Sequence, residues 1–156
     1  MPLSPHEPVS LADYLETMSR AVFTAGMGAA VIDRKWAGTV EAFEGFDPAT
    51  VAAYTPADVE RLLGDDRIVR NRKKVEATVH NAGELMVVDR EFGGIRPYLD
   101  SFADTSDLIA DLHHRFRFLG ESVARMFLYT VAFRVKEQEA WAREHFGEAA
   151  MRRHGH

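Results

Sequence analysis

Apolar side chains recur at three- and four-residue intervals along almost the whole chain, and no segment sustains the two-residue alternation of a strand. Leu11, Leu15, Met18 and Val22 form one such stripe, and Ile32, Trp36, Val40 and Phe43 the next. A short stripe of Val59, Leu62 and Leu63 precedes a long one carrying Val75, Val79, Ala82 and Met86, with Glu76, His80 and Glu84 turned elsewhere. Leu108, Ile109, Leu112 and Phe116 mark a further helix, and Val123, Phe127, Thr130 and Val131 the one after it. The punctuation agrees. Ser10 stands as an N-cap with Asp13 three residues on, while Asp47-Pro48 and Thr55-Pro56 each set a cap ahead of a proline. Gly26, Gly28 and Gly93-Gly94 interrupt the helices. The pattern predicts an all-α fold: a single helical domain over 10–135, a flexible lead-in over 1–9, and a charged helix and tail over 136–156.

The absence of cysteine from all 156 residues excludes disulfides and thiolate metal sites, and suits a reducing cytoplasm. No apolar run approaches the ~20 residues of a membrane span. Neither a metal site nor a cofactor is expected, and the oligomeric state is left open. The formal net charge of -5 argues against indiscriminate coating of nucleic acid, whose affinity comes mostly from neutralised phosphates.

Against that acidity, Arg67, Arg70, Arg72, Lys73 and Lys74 crowd into eight residues at the start of the long helix. Positive charge there opposes the helix dipole, which favours acids at an N-terminus. Two readings stay open: a solvated basic face partly offset by Asp65 and Asp66, or a site for an external anion. The run Phe116-Arg-Phe-Leu-Gly120-Glu-Ser122 poses a similar choice. Here one helix ends and another begins within a few residues, and Gly120 removes a side chain beside the new helix start. Such a turn serves as a plain helical hairpin, or as a notch whose backbone N–H groups grip a phosphate with Arg117 and Arg125 nearby.

These two segments carry a family resemblance. Phe43-Glu-Gly-Phe46-Asp47-Pro48, Arg67-Ile-Val-Arg70, Asn81-Ala82 and Phe116–Gly120 resemble, in order and spacing, the DNA-3-methyladenine glycosylase I family of base-excision proteins. The likeness runs from about Ser10 to Ala132. It implies a helix–hairpin–helix DNA-binding element and double-stranded DNA bearing an alkylated base as partner. The implied activity is excision of alkylated adenine by a monofunctional N-glycosyl hydrolase, which flips the nucleotide into an aromatic pocket. Phosphate contacts are then expected from Arg70, Arg72, Lys73, Lys74, Arg117, Leu119, Gly120, Ser122 and Arg125. Phe23, Met27 and Tyr98 are the candidates to line a base pocket, whereas Trp36 reads as core.

The chain also departs from the family. The glutamate that family members use to recognise the base aligns with Ala21, and their tryptophan with Ala29. No catalytic residue is therefore identified. Glu16 cannot simply stand in, because five residues along a helix is a rotation of ~140° onto another face; Asp33, the nearest carboxylate downstream, is the candidate substitute. The family's structural zinc, held by two cysteines and two histidines, has no counterpart; Glu137 stands where a histidine is expected, and Lys136 where related glycosylases keep an aspartate. Three functions remain to be separated: an alkyladenine glycosylase, a catalytically silent binder of damaged duplex, and a protein-interaction module using the charged tail.

Overall fold

The computed structural model describes residues 4–155, with side chains through residue 147. The first residues of the expected lead-in and the last residue of the expected tail lie outside the described residues. Among the described residues the fold is all-α, as the periodicity predicts: α1 (Leu11–Thr24), α2 (Ala29–Ala42), a 3-10 turn (Glu44–Phe46), α3 (Pro48–Ala52), α4 (Pro56–Leu63), α5 (Arg72–Phe92), α6 (Ile95–Asp100), α7 (Thr105–Arg115), α8 (Glu121–Thr130) and α9 (Val135–Gly155). No helix there is long and apolar enough to cross a membrane.

Local chemistry fixes the helix starts. The Ser10 hydroxyl accepts from Asp13 N–H, Asp47 accepts from Thr50 N–H, and Thr55 with Asp58 closes a reciprocal capping box ahead of Pro56. Asn71, not Arg70, caps α5, so Arg70 sits in the connection before the helix rather than on it. Gly93, in the left-handed region at φ 73°, ends α5, and the segment after it forms the short helix α6.

α1 and α5 run through the middle of the molecule, and the core gathers on them. Leu15, Met18 and Val22 of α1 and Val75, Ala82, Leu85 and Val88 of α5 are all buried. One aromatic cluster joins α1, α2 and the 3-10 turn: Trp36 stacks on Phe46 at 5.6 Å, Phe46 on Phe43 at 5.0 Å, and Phe23 meets Phe43 edge-on at 6.1 Å. A second surrounds Tyr98, with Phe92 at 5.1 Å and Phe102 at 5.5 Å.

The flanks adhere to this body more closely than the sequence suggests. His6 N–H donates to Thr130 O at 3.0 Å and Glu7 pairs with Arg96 at 3.2 Å, so the end of the expected flexible lead-in is tied down. The start of α9 packs on α8: Gln138 is buried, and the Arg125 guanidinium lies 5.5 Å from the Trp141 ring.

Candidate nucleic-acid interface and cavity

The hairpin between α7 and α8 is held from beneath by one side chain. Asn81 of α5, 2% exposed, accepts from Arg117 N–H at 2.8 Å and donates to Arg117 C=O at 3.2 Å. The amide thus satisfies both backbone groups of a turn residue that lies outside both helices. His80, one position earlier, meets Arg115 O at 3.0 Å. Phe116 and Leu119 anchor the turn in the core, while Phe118 projects outward with φ 65°. That left-handed conformation costs a bulky residue roughly 1–2 kcal/mol and would suit a glycine.

Above this base the turn is open. A Cβ built on Gly120 meets nothing within 4 Å, and the backbone there is ordinary, at φ -69°. The first N–H groups of α8 lack intrahelical acceptors, as at any helix start, so they are available to an oxyanion at the notch. Arg117 and Ser122 flank it, exposed, and the Arg117 guanidinium has no partner among the described residues. Leu119 belongs to this site only through its backbone, because its side chain is fully buried.

Arg125 departs from its expected place. Its guanidinium is 14% exposed, paired with Glu121 at 3.2 Å, bonded to Gln138 at 3.1 Å and covered by Trp141. It secures α9 rather than reaching for a phosphate. Neighbouring Arg115 is likewise committed, to Asp111 at 2.8 Å, Glu84 at 3.1 Å and Glu91 at 3.4 Å.

The basic cluster at the start of α5 divides in the same way. Arg70 and Lys73 are exposed without side-chain partners among the described residues, and Arg72 is exposed but paired with Glu60 at 2.6 Å. Arg67 turns back to Asp65 at 2.7 Å and Glu41 at 3.3 Å, and its hydrogen bonds hold the Asp65 carboxyl down to about 2. Lys73 and His80 are seven residues apart, two turns and about 10 Å along one face of α5. Lys73 therefore lies on the face of α5 that meets the hairpin through His80.

Lys74 is the clearest correction. Expected on the surface as a phosphate contact, it is 6% exposed, and its ammonium donates to the carbonyls of Ala25 and Phe23. It neutralises the negative end of α1 and ties down the α1–α2 loop. Burial pushes its pKa below the usual lysine value. A sequence signal existed: Lys74, Thr78, Asn81 and Leu85 recur at helical spacing, and all are buried. Lys74→Met keeps the stem but orphans the carbonyls. It should cost about 1–3 kcal/mol in denaturant unfolding, with the largest loss of amide protection in the α1–α2 loop.

The three candidate base-pocket residues are not brought together. Phe23 is buried in the first aromatic cluster and Tyr98 in the second, where its hydroxyl donates to Asp111 at 2.6 Å. Met27 stands 40% exposed on the α1–α2 loop. Trp36 is core, as expected, with its indole N–H donating to Glu16 at 3.1 Å. Asp33 pairs with Arg20 of α1; burial raises its pKa, but hydrogen bonds and nearby positive charge, Arg20 foremost, together lower it on balance.

A cavity of about 190 Å³ lies elsewhere, between the lead-in, α1 and α8. Ala21 lines it, which places the cavity at the position where the family resemblance puts the base-reading glutamate. Glu16 lines it too. The sequence separation set these two on different faces, but Asp13, Thr17 and Arg20 fall between them, so the cavity wall is a ~140° arc of α1 with Glu16 and Ala21 at its edges. His6 and Thr130, joined by their backbone bond, help to close the far side. The volume lies below the ~300 Å³ of ordinary small-molecule pockets, so only a compact ligand fits.

The residues present do not fit the family's zinc. There is no cysteine, no cluster of three or more histidine, aspartate or glutamate side chains occurs among the described residues, and Glu137 accepts a 2.7 Å hydrogen bond from Thr105.

Comparisons with known proteins bear on the fold and the family. The DNA-3-methyladenine glycosylase of Haemophilus influenzae is 26% identical over 88 residues, which are 56% of this chain and 48% of that protein. DNA-3-methyladenine glycosylase 1 of Escherichia coli is 42% identical over 48 residues, 31% of this chain and 26% of that one. The chain thus matches about half or less of the length of these curated relatives. The solved structure of 3-methyladenine DNA glycosylase I from Staphylococcus aureus, described as the basis of its 3-methyladenine recognition, superposes with a TM-score of 0.72 at 25% identity, covering 83% of this chain and 80% of that one. The family model for methyladenine glycosylase matches residues 9–126. With that match spanning most of its length, the chain belongs to the methyladenine glycosylase family.

Proposed function

We propose that this chain is a zinc-free DNA glycosylase that binds duplex DNA and excises alkylated adenine. The observation that carries the reading is the open notch at Gly120, braced by Asn81 and flanked by Arg117, which has no partner among the described residues, in a chain whose cavity is lined by Ala21, the position that the resemblance aligns with the base-reading glutamate. The notch grips one sugar-phosphate strand through backbone N–H groups and reads no sequence, while Arg117, Arg70 and Lys73 add charge. An extruded base then enters the cavity. Flipping costs a few kcal/mol, least at a damaged base, and is offset by contacts inside the cavity. A ring-alkylated purine is a cationic leaving group, so binding and orienting it carry much of the reaction. Water attacks the sugar carbon, the bond to the base breaks with its electron pair, the base departs neutral, and the proton shed by the water passes to solvent.

One observation favours a second reading, a silent binder of damaged duplex. Ala21 offers no acid or base, Lys136 replaces the aspartate of related enzymes, and the exposed carboxylate nearest the notch, Glu121, is paired with Arg125. Incubating the chain with methylated duplex and then cleaving abasic sites separates the two. Strand breaks above the protein-free control support excision, whereas tight duplex binding without breaks supports the silent binder. Binding itself has a signature. Arg117→Ala should weaken duplex affinity and reduce the log–log salt slope by about one, as expected for a single lost phosphate contact. An unchanged slope would remove Arg117 from the interface.

A further inference from the structure

We propose that Glu16 is the carboxylate that binds the alkylated base in this chain, taking the role that Ala21 cannot fill; the assignment rests on the base-excision reading above. Three observations lead to it. The first is position: Glu16 and Ala21 bound the same arc of α1, so a ligand in the cavity reaches both. The second is charge balance. The charged and titratable groups of the wall are two carboxylates, Asp13 and Glu16, against one guanidinium, Arg20, and the imidazole of His6; Arg20 pairs with Asp33 and lies 5.5 Å from the Trp36 ring. What remains is an excess of carboxylate in a small, partly enclosed space. That setting favours a cation, and a purine alkylated on a ring nitrogen while attached to its sugar is a cation; the released neutral base still offers its exocyclic amine to the carboxylate.

The third is preorganisation. Trp36 donates its indole N–H to one oxygen of Glu16, and Trp36 is itself stacked on Phe46 in the core. A carboxylate fixed by a rigid aromatic donor loses little entropy on meeting a ligand and retains lone pairs for the exocyclic amine of an adenine. Asp13, by contrast, is engaged at the start of α1, where it accepts from Val9 N–H at 2.9 Å. Glu16 is thus a binding residue that orients the leaving base and discriminates it from an unmodified one.

The test uses the intact chain and Glu16→Gln. The glutamine oxygen accepts the Trp36 N–H as the carboxylate does, so the fold should survive, and a thermal melt checks it. Trp36→Phe serves as a second variant, keeping the ring but releasing Glu16. The readouts are single-turnover release of base from methylated duplex, affinity for unmodified duplex, and the Trp36 indole resonance during titration with 3-methyladenine. Glu16→Gln should lose roughly tenfold or more in base release and in 3-methyladenine affinity, with unmodified-duplex affinity unmoved. Trp36→Phe should lose base release in the same direction by a smaller factor. Glu16→Gln releasing base at the parental rate overturns the assignment and leaves the glycosylase reading intact. A parent that binds 3-methyladenine through Glu16 yet releases no base upholds the assignment and moves the chain to the silent binder. A parent that neither releases base nor binds 3-methyladenine ends both.

Discussion

Asn81→Ala should lower the unfolding free energy by about 2–4 kcal/mol and loosen the hairpin more than any other single change on the interface. Asn81 is buried, and its amide satisfies the N–H and the C=O of Arg117 together. Alanine removes both partners and supplies none, and Leu119 and Phe116 on either side keep the turn packed where water enters poorly. Two orphaned backbone groups at ~1–3 kcal/mol each set the range, reduced by whatever water the relaxed turn admits. Asn81→Asp separates the two bonds. It keeps the acceptor for Arg117 N–H but aims a carboxylate oxygen at Arg117 O, so it should destabilise despite its near-identical shape. Denaturant melts measure the energy, and amide exchange at residues 116–120 locates it. If both variants melt like the parent and keep their exchange protection, the hairpin is not held by Asn81. Because the notch sits on this turn, Asn81→Ala should also weaken duplex binding without touching a DNA-facing atom.

That Asn81 holds the turn was only half legible in the sequence. Its place beside Ala82 in a family-like motif marked it, but nothing local said that its amide would reach a turn 36 positions later. The same divide recurs elsewhere. Helix starts and stops were readable because caps act over three residues, and Ser10, Asp47 and Thr55 all cap as their spacing implies. Which cation faces water was not, because that depends on what another helix end presents. Lys74 answers the α1 carbonyls, Arg125 answers Trp141 and Glu121, and only Arg70, Lys73 and Arg117 of the expected set remain exposed without described partners. The base pocket failed for a related reason. Phe23 and Tyr98 were chosen for chemical type, and large aromatic side chains go first to the core. The cavity is walled instead by small and polar residues of α1, an arc that single-face helical reasoning treats as two separate sides.

Gly120→Val is expected to reduce duplex affinity by about ten- to a hundredfold while changing stability by no more than about 1 kcal/mol. The asymmetry follows from the local geometry. At φ -69° the backbone accepts any residue, and a new Cβ meets no protein atom within 4 Å, so neither strain nor overlap opposes the branched side chain in the free protein. The small cost comes from valine being a poorer helix cap than glycine. The bulk projects into the space that a phosphate oxygen needs in order to reach the first N–H groups of α8, each such charge-assisted bond contributing ~1.5–3 kcal/mol. Salt dependence then distinguishes this variant from Arg117→Ala. Valine removes no cation, so counterion release is unchanged and the log–log slope should stay parental while the whole curve shifts to weaker binding; loss of the Arg117 charge should flatten the slope instead. Gly120→Ala should fall between, since a methyl group intrudes less than an isopropyl group. Fluorescence anisotropy with an undamaged duplex across a salt series reads all three variants. Parental affinity in Gly120→Val, with the fold intact, would mean that the phosphate passes elsewhere and that the notch is only a tight turn.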